Sequence, residues 1–179
     1  MDRMVHRATP TVTVSVCKEP VHPSKEDRIV TRLHYSVDID APRQRVWEVL
    51  WDDRTYRDWT SAFMEGSHAV SDWTEGSRIQ FLGPNGDGMS AVIEKKVPNE
   101  RMTFRHVAEI KEGKEQPAPP SWSGALEEYT LKDNGTGTTL IVDLDSADEY
   151  KEMFEKAFPK ALQRVKELAT QRQPTGATR

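Results

Sequence analysis

Two side chains in this sequence are placed to do acid–base or recognition chemistry, and both lie in strand-like runs. In Arg101–Val107 the residues alternate, and His106 shares a parity with Met102 and Phe104. An imidazole on an apolar strand face can act as acid or base near neutrality, or hold a polar group of a ligand. The plainer expectation is a strand-end histidine near water. In Ala125–Lys132, Glu127 shares parity with Tyr129 and Leu131. A carboxylate buried alone is costly, so Glu127 must lie near a pocket mouth or have a partner. Arg105, Glu128 and Asp143 have the opposite parity and read as solvent-face charges.

Other chemistries find little support. His6, His22, His34, His68 and His106 show no paired ligand spacing, so no metal is expected. Gly83–Gly88 links two strand-like runs, which fits a hairpin rather than a phosphate loop ahead of a helix. There is no nucleophile elbow, and Cys17 falls in a linker-like stretch without a shaped site. No cofactor is expected.

The elements that must position His106 and Glu127 can be followed along the chain. Ile29–Asp40 alternates Leu33, Tyr35, Val37 and Ile39 with polar residues, the pattern of a strand with one buried face. Ala41-Pro42 stops it, because proline cannot donate to a ladder and suits the first turn of a helix. Arg43–Trp51 and Asp53–Trp59 then read as short helices. Strands follow at about Ser67–Val70, Arg78–Leu82, Met89–Val97, Arg101–Val107, Ala125–Lys132 and Thr138–Asp145, separated by Gly, Pro and Asn turns. Their short connections imply an antiparallel meander. Lys111–Pro120, charged and proline-rich, is expected to be a long surface loop. From Tyr150 to Ala169 apolar residues recur at helical spacing, with a kink or break expected near Glu155–Phe158 before Pro159.

The five tryptophans admit two roles. Trp47 and Trp51 lie one turn apart, so at least one should be buried. Trp59, Trp73 and Trp122 lie near loop ends and either rim a pocket gated by Lys111–Pro120 or pack at helix–strand junctions.

At the ends, residues 1–28 carry Pro10, Pro20 and Pro23 and are expected to form a flexible extension. The Val12, Val14, Val16 alternation within them is a weak candidate for an edge strand. Residues 172–179 read as a disordered tail, leaving 29–171 as one domain of the 179-residue chain. A net charge of -4 with no basic stripe argues against nucleic acid. No run reaches the roughly 20 apolar residues of a membrane span. The N-terminus lacks a signal-peptide core, and a single cysteine permits no internal disulfide, so a cytoplasmic location is expected.

Several of these segments together resemble a known family. "YSVDIDAPRQRVW" (Tyr35–Trp47) is similar to the opening of START-like (SRPBCC) domains, and "DDRTYRDW" to their second short helix. "DWTEGSRIQF", "EKKVPNERMTFR" and "NGTGTTLIVDL" resemble their central strands and last hairpin. "KAFPKALQRVKELA" resembles their C-terminal helix. Within that superfamily the chain looks most like the branch named after the activator of heat-shock-protein-90 ATPase (AHSA-like). The resemblance covers about four-fifths of the chain and keeps its order.

The resemblance implies an α+β helix-grip fold: a curved antiparallel sheet of about seven strands around a long C-terminal helix, with two short helices after the first strand. The sheet face toward that helix nominates a cavity wall. Its members are Tyr35, Val37, Ile79, Phe81, Ile93, Phe104, His106, Glu127, Tyr129 and Val142, with Phe154, Phe158 and Leu162 from the helix. Any one of them could equally be dense core. The expected function is non-enzymatic binding of a small hydrophobic or amphipathic molecule, or a lipid. A cyclase or dehydratase, drawing on His106, Glu127 and the tyrosines, and a co-chaperone-like interaction module are the alternatives.

Overall fold

The alternation of Leu33, Tyr35, Val37 and Ile39 becomes strand β2 (Val30–Ile39), with those four side chains buried and Asp38 exposed. The computed structural model describes residues 13–16 and 30–171. Strand β1 (Thr13–Val16) precedes β2, and α1 (Arg43–Trp51) and α2 (Asp53–Thr60) follow it. Next come β3 (His68–Val70), β4 (Arg78–Leu82), β5 (Gly88–Val97), β6 (Arg101–Lys111), β7 (Lys114–Pro117), β8 (Leu126–Asp133) and β9 (Thr138–Ala147). Helix α3 (Asp148–Thr170) ends the described chain. The strands pair antiparallel in the order β1-β2-β9-β8-β6-β5-β4-β3, with β7 added to β6. This is the α+β helix-grip arrangement.

The nine-stranded sheet has two strands more than expected. Thr13–Val16 pairs along β2 from Thr13↔Ser36 to Val16↔Leu33, so this part of the expected flexible extension is an edge strand. The rest of 1–28, and the tail 172–179, lie outside the described residues. The second addition is β7, inside the stretch expected to be a loop. Glu112 and Gly113 both take positive φ (52° and 71°), the geometry of a tight hairpin turn. Lys111 therefore pairs with Lys114, and the Glu112 N–H donates to Asp87 Oδ1 at 2.7 Å. All four β7 residues are exposed, which is why no alternating apolar signal marked them.

Helix α3 packs its buried stripe (Phe158, Ala161, Leu162, Val165, Leu168, Ala169) into the same core as the inner face of the sheet. The Phe158 ring stacks on Tyr35 at 4.7 Å. The expected break near Glu155–Phe158 does not occur, since α3 runs as one helix through Pro159. Proline there removes only the hydrogen bond to the Glu155 carbonyl. Burial of Ala157, Phe158, Ala161 and Leu162 holds the flanking turns in place. Trp47 and Trp51 are both only partly buried, and Trp59 of α2 is instead the tryptophan sealed in the core. On the outer face, Arg32 meets Asp145 (2.8 Å), His34 meets Asp143 (2.7 Å) and Arg105 meets Glu94 (3.3 Å).

Arg164 of α3 grips Asp58 of α2 with two hydrogen bonds, at 2.6 and 2.9 Å. The guanidinium holds the Asp58 carboxyl below its ordinary value of 3.8, chiefly through these hydrogen bonds. A depressed carboxylate stabilises the fold above its unfolded pKa, and that contribution fades as pH falls through the folded one. Asp58→Asn should therefore cost about 0.5–1 kcal/mol at pH 7, the pair being well exposed to solvent. The deficit should vanish below the ordinary carboxylate range. Urea denaturation at pH 7 and in acid checks this, and a deficit that persists in acid would refute the clamp.

Candidate functional site

Pairing across β2, β9, β8, β6 and β5 aligns Leu33, Leu144, Glu127, Phe104 and Ile93 in one row. Glu127 is the carboxylate in an otherwise apolar row. The next row holds Tyr35, Val142, Tyr129 and Met102. Tyr129, two residues along β8 on the same face, donates its hydroxyl to Glu127 Oε1 at 2.6 Å. His106 lies diagonally across on β6 and brings Nε2 to 3.0 Å from Glu127 Oε2. The His106 and Glu127 side chains retain 9% and 19% exposure. Both Glu127 oxygens are thus occupied, while His106 Nδ1 is buried with no hydrogen-bond partner among the described residues.

His106 is therefore no strand-end residue near water, because β6 runs on to Lys111. It sits where β6 changes partners. Arg101–Arg105 pair with β8, and Ala108–Lys111 pair with β7. Between them the His106 N–H donates to the Ala125 carbonyl (2.9 Å), and its carbonyl accepts from the Gly124 N–H (2.7 Å). On the other edge, Ala91 pairs with His106 but Ser90 with Ala108, so Val107 is skipped in a bulge. Bulges of this kind re-aim side chains beside sites. Phe81 borders the imidazole at 5.8 Å and Trp122 at 6.4 Å. Gly88 permits β4 and β5 to turn so tightly next to Phe81, since a Cβ there would collide with the Phe81 carbonyl oxygen.

Aromatic rings from the short helices close over this polar group. Trp51 meets Tyr129 at 5.1 Å and Phe104 at 5.5 Å, both edge-on. Trp59 donates its indole N–H to the Leu50 carbonyl at 3.2 Å and lies 6.3 Å from Tyr129. Burial first, and then the Glu127 charge, push the phenols of Tyr129 and Tyr56 up, so both remain protonated donors near neutrality. Sequence reasoning passed over Tyr56; its signal is the shared helix face with Trp59 and Thr60, all three buried.

The nominated positions fall into two groups. Tyr35, Val37, Ile79, Ile93, Phe104, Tyr129, Val142, Phe158 and Leu162 are each no more than 3% exposed. A void wide enough for water would leave exposed surface on its walls, so these side chains fill one another's space. Phe81, Phe154 and Glu127 are partly exposed, and His106, in contact with Phe81 and Glu127, is buried. The surface also carries grooves of about 630 Å³ beside Trp47 and Trp51 and about 560 Å³ beside Arg101 and Lys132. Neither is lined by a nominated side chain. Among the described residues no group of three or more His, Cys, Asp or Glu could hold a metal, and no helix is long and apolar enough to cross a membrane.

Residues 40–170 match the family described as "Activator of Hsp90 ATPase homolog 1-like protein". Several solved structures share the fold. Protein Ms6760 from Mycobacterium smegmatis is 19% identical with a TM-score of 0.60, over 84% of this chain and 98% of its own. CalU16 from Micromonospora echinospora is 18% identical with a TM-score of 0.58, over 91% and 87%. DynU16, described as a protein in the dynemicin biosynthetic locus, is 20% identical with a TM-score of 0.56, over 79% of this chain and 47% of its own. Such identities show the fold alone. No curated protein matches the sequence.

Proposed function

The chain belongs to the activator of Hsp90 ATPase homolog 1-like family, and from that premise we propose that it binds a small hydrophobic or amphipathic molecule between the sheet and α3. The supporting observation is the Tyr129–Glu127–His106 group, a set of linked polar atoms inside an aromatic wall. Small-molecule sites are typically of this kind, mostly apolar with a few placed polar groups.

The ligand enters beside Phe63 and Phe154. Phe63 meets Phe154 at 6.4 Å and Phe158 at 4.8 Å, both edge-on. Beside Phe63 and Phe154 in the chain, Met64 and Met153 stand 55% and 44% exposed, an apolar rim of unbranched, adaptable side chains. Phe81 and Phe154 touch the ligand body first. Movement of Phe63 and Phe154 makes room above the packed wall.

Titration with N-phenyl-1-naphthylamine, an uncharged apolar fluorophore, tests this. Fluorescence should rise saturably at micromolar protein, and Phe154→Glu should weaken binding at least ten-fold with the far-ultraviolet circular dichroism unchanged. Absence of saturable binding, or binding indifferent to Phe154, would sink the reading.

A further inference from the structure

His106 carries a polar atom that neither the fold nor the Glu127 contact uses. Glu127 accepts the Tyr129 hydroxyl on Oε1 and the His106 ring on Oε2, so its carboxylate is satisfied from within the protein. A carboxylate offers only acceptors, and the 3.0 Å contact therefore puts the imidazole proton on Nε2. In that tautomer Nδ1 presents a bare lone pair. This atom is buried, has no partner among the described residues, and belongs to a side chain more than nine-tenths covered. Buried acceptors are almost always paired, and those that are not call for an explanation. Two flat aromatic rings border the imidazole: Phe81 tilted at 48° and Trp122 edge-on at 85°. Trp122 belongs to the loop of residues 118–125, tied to β6 by the Gly124 N–H on the His106 carbonyl.

Resting on the ligand-binding reading above, we propose that His106 Nδ1 is the acceptor for a ligand hydroxyl, and that the ligand class is a flat aromatic molecule of the phenol type. Glu127 is the positioning residue: it holds the tautomer and the ring plane, as the orienting carboxylate does beside a working histidine. The ligand body replaces the contact that Trp122 makes with the imidazole. Within the cluster itself no donor is left for a ligand offering only acceptors, because the Tyr129 hydroxyl and His106 Nε2–H are both given to Glu127.

Two measurements test this. In ¹⁵N-labelled protein, two-bond ¹H–¹⁵N correlation should show the neutral His106 ring protonated at Nε2 and bare at Nδ1; the opposite tautomer overturns the proposal. In Glu127→Gln that single tautomer should give way to a mixture. Binding of 2-naphthol is then compared with that of 2-methoxynaphthalene, which has the same rings without the donor. The intact protein should prefer 2-naphthol at least ten-fold, and His106→Phe should abolish the preference. Equal binding of the two overturns the hydroxyl assignment and leaves the ligand-binding reading standing. Failure of both naphthalenes while N-phenyl-1-naphthylamine still binds does the same. Failure of all three overturns both.

Discussion

Truncation of Phe158 to alanine is expected to lower the unfolding free energy by about 3–5 kcal/mol, the usual cost of removing a large aromatic ring from a filled core. Phe158 is buried in the middle of α3 and stacks on Tyr35, with Phe63 near-perpendicular to it at 4.8 Å and Phe154 tilted beside it at 5.7 Å. Its deletion would leave a gap where helix and sheet meet. Pro159, the next residue, has already cost α3 one backbone hydrogen bond, so the helix has little else to hold that turn. The Tyr35 phenol, pushed up to about 12 by burial and then by Glu155, has a hydroxyl without a partner among the described residues. Tyr35 is therefore held by packing, and loosens with Phe158. Denaturant midpoints at constant m-value measure the loss. A loss below about 1 kcal/mol would mean that the space between sheet and helix is not filled as described.

Glu127→Leu should cost about 3 kcal/mol, because it strands the Tyr129 hydroxyl and the His106 Nε2–H, each a buried donor worth about 1–3 kcal/mol when left unmade. The leucine itself suits the row, which already holds Leu33, Leu144, Phe104 and Ile93. Most of the loss should consequently return in the triple variant Glu127→Leu, His106→Phe, Tyr129→Phe, where no polar group remains to be satisfied. Groups that act as one network show such coupling, whereas independent sites add. Equilibrium denaturation of the single and triple variants decides the matter. If the three losses simply summed, the cluster would not be the linked unit that the distances imply. The triple variant should also lose any preference for a ligand with a donor, even though its fold is restored. That would separate what the cluster does for binding from what it does for stability.

Much of this architecture could be read along the chain. Period-two alternation in Val30–Ile39 and Thr138–Ala147, the stop at Ala41-Pro42 and the helical spacing after Tyr150 set the order of elements and the buried face of each. The same parity placed Glu127 on the inner face and Arg105 on the outer one. Alternation reports a side, however, and says nothing of the neighbour. Strand β7 escaped notice because its residues are exposed on an edge, and because the first of the two left-handed turn positions is taken by Glu112, a residue type with no preference for that conformation. The bulge at Val107 is likewise a product of two strands adjusting to each other.

The sequence alone thus determined the helix-grip order, the two faces of the sheet, and that any polar group at 106 or 127 would be an exception within an apolar surface. Only the tertiary structure decided that these two exceptions meet. The contact joins residues on different strands, 21 positions apart, and depends on the register of β6 with β8, which no local pattern encodes. Tertiary packing likewise decided that the wall beneath them is filled, since that follows from how closely α3, α1 and α2 approach the sheet. The volume left between elements is a sum over all of them, and no single segment carries it.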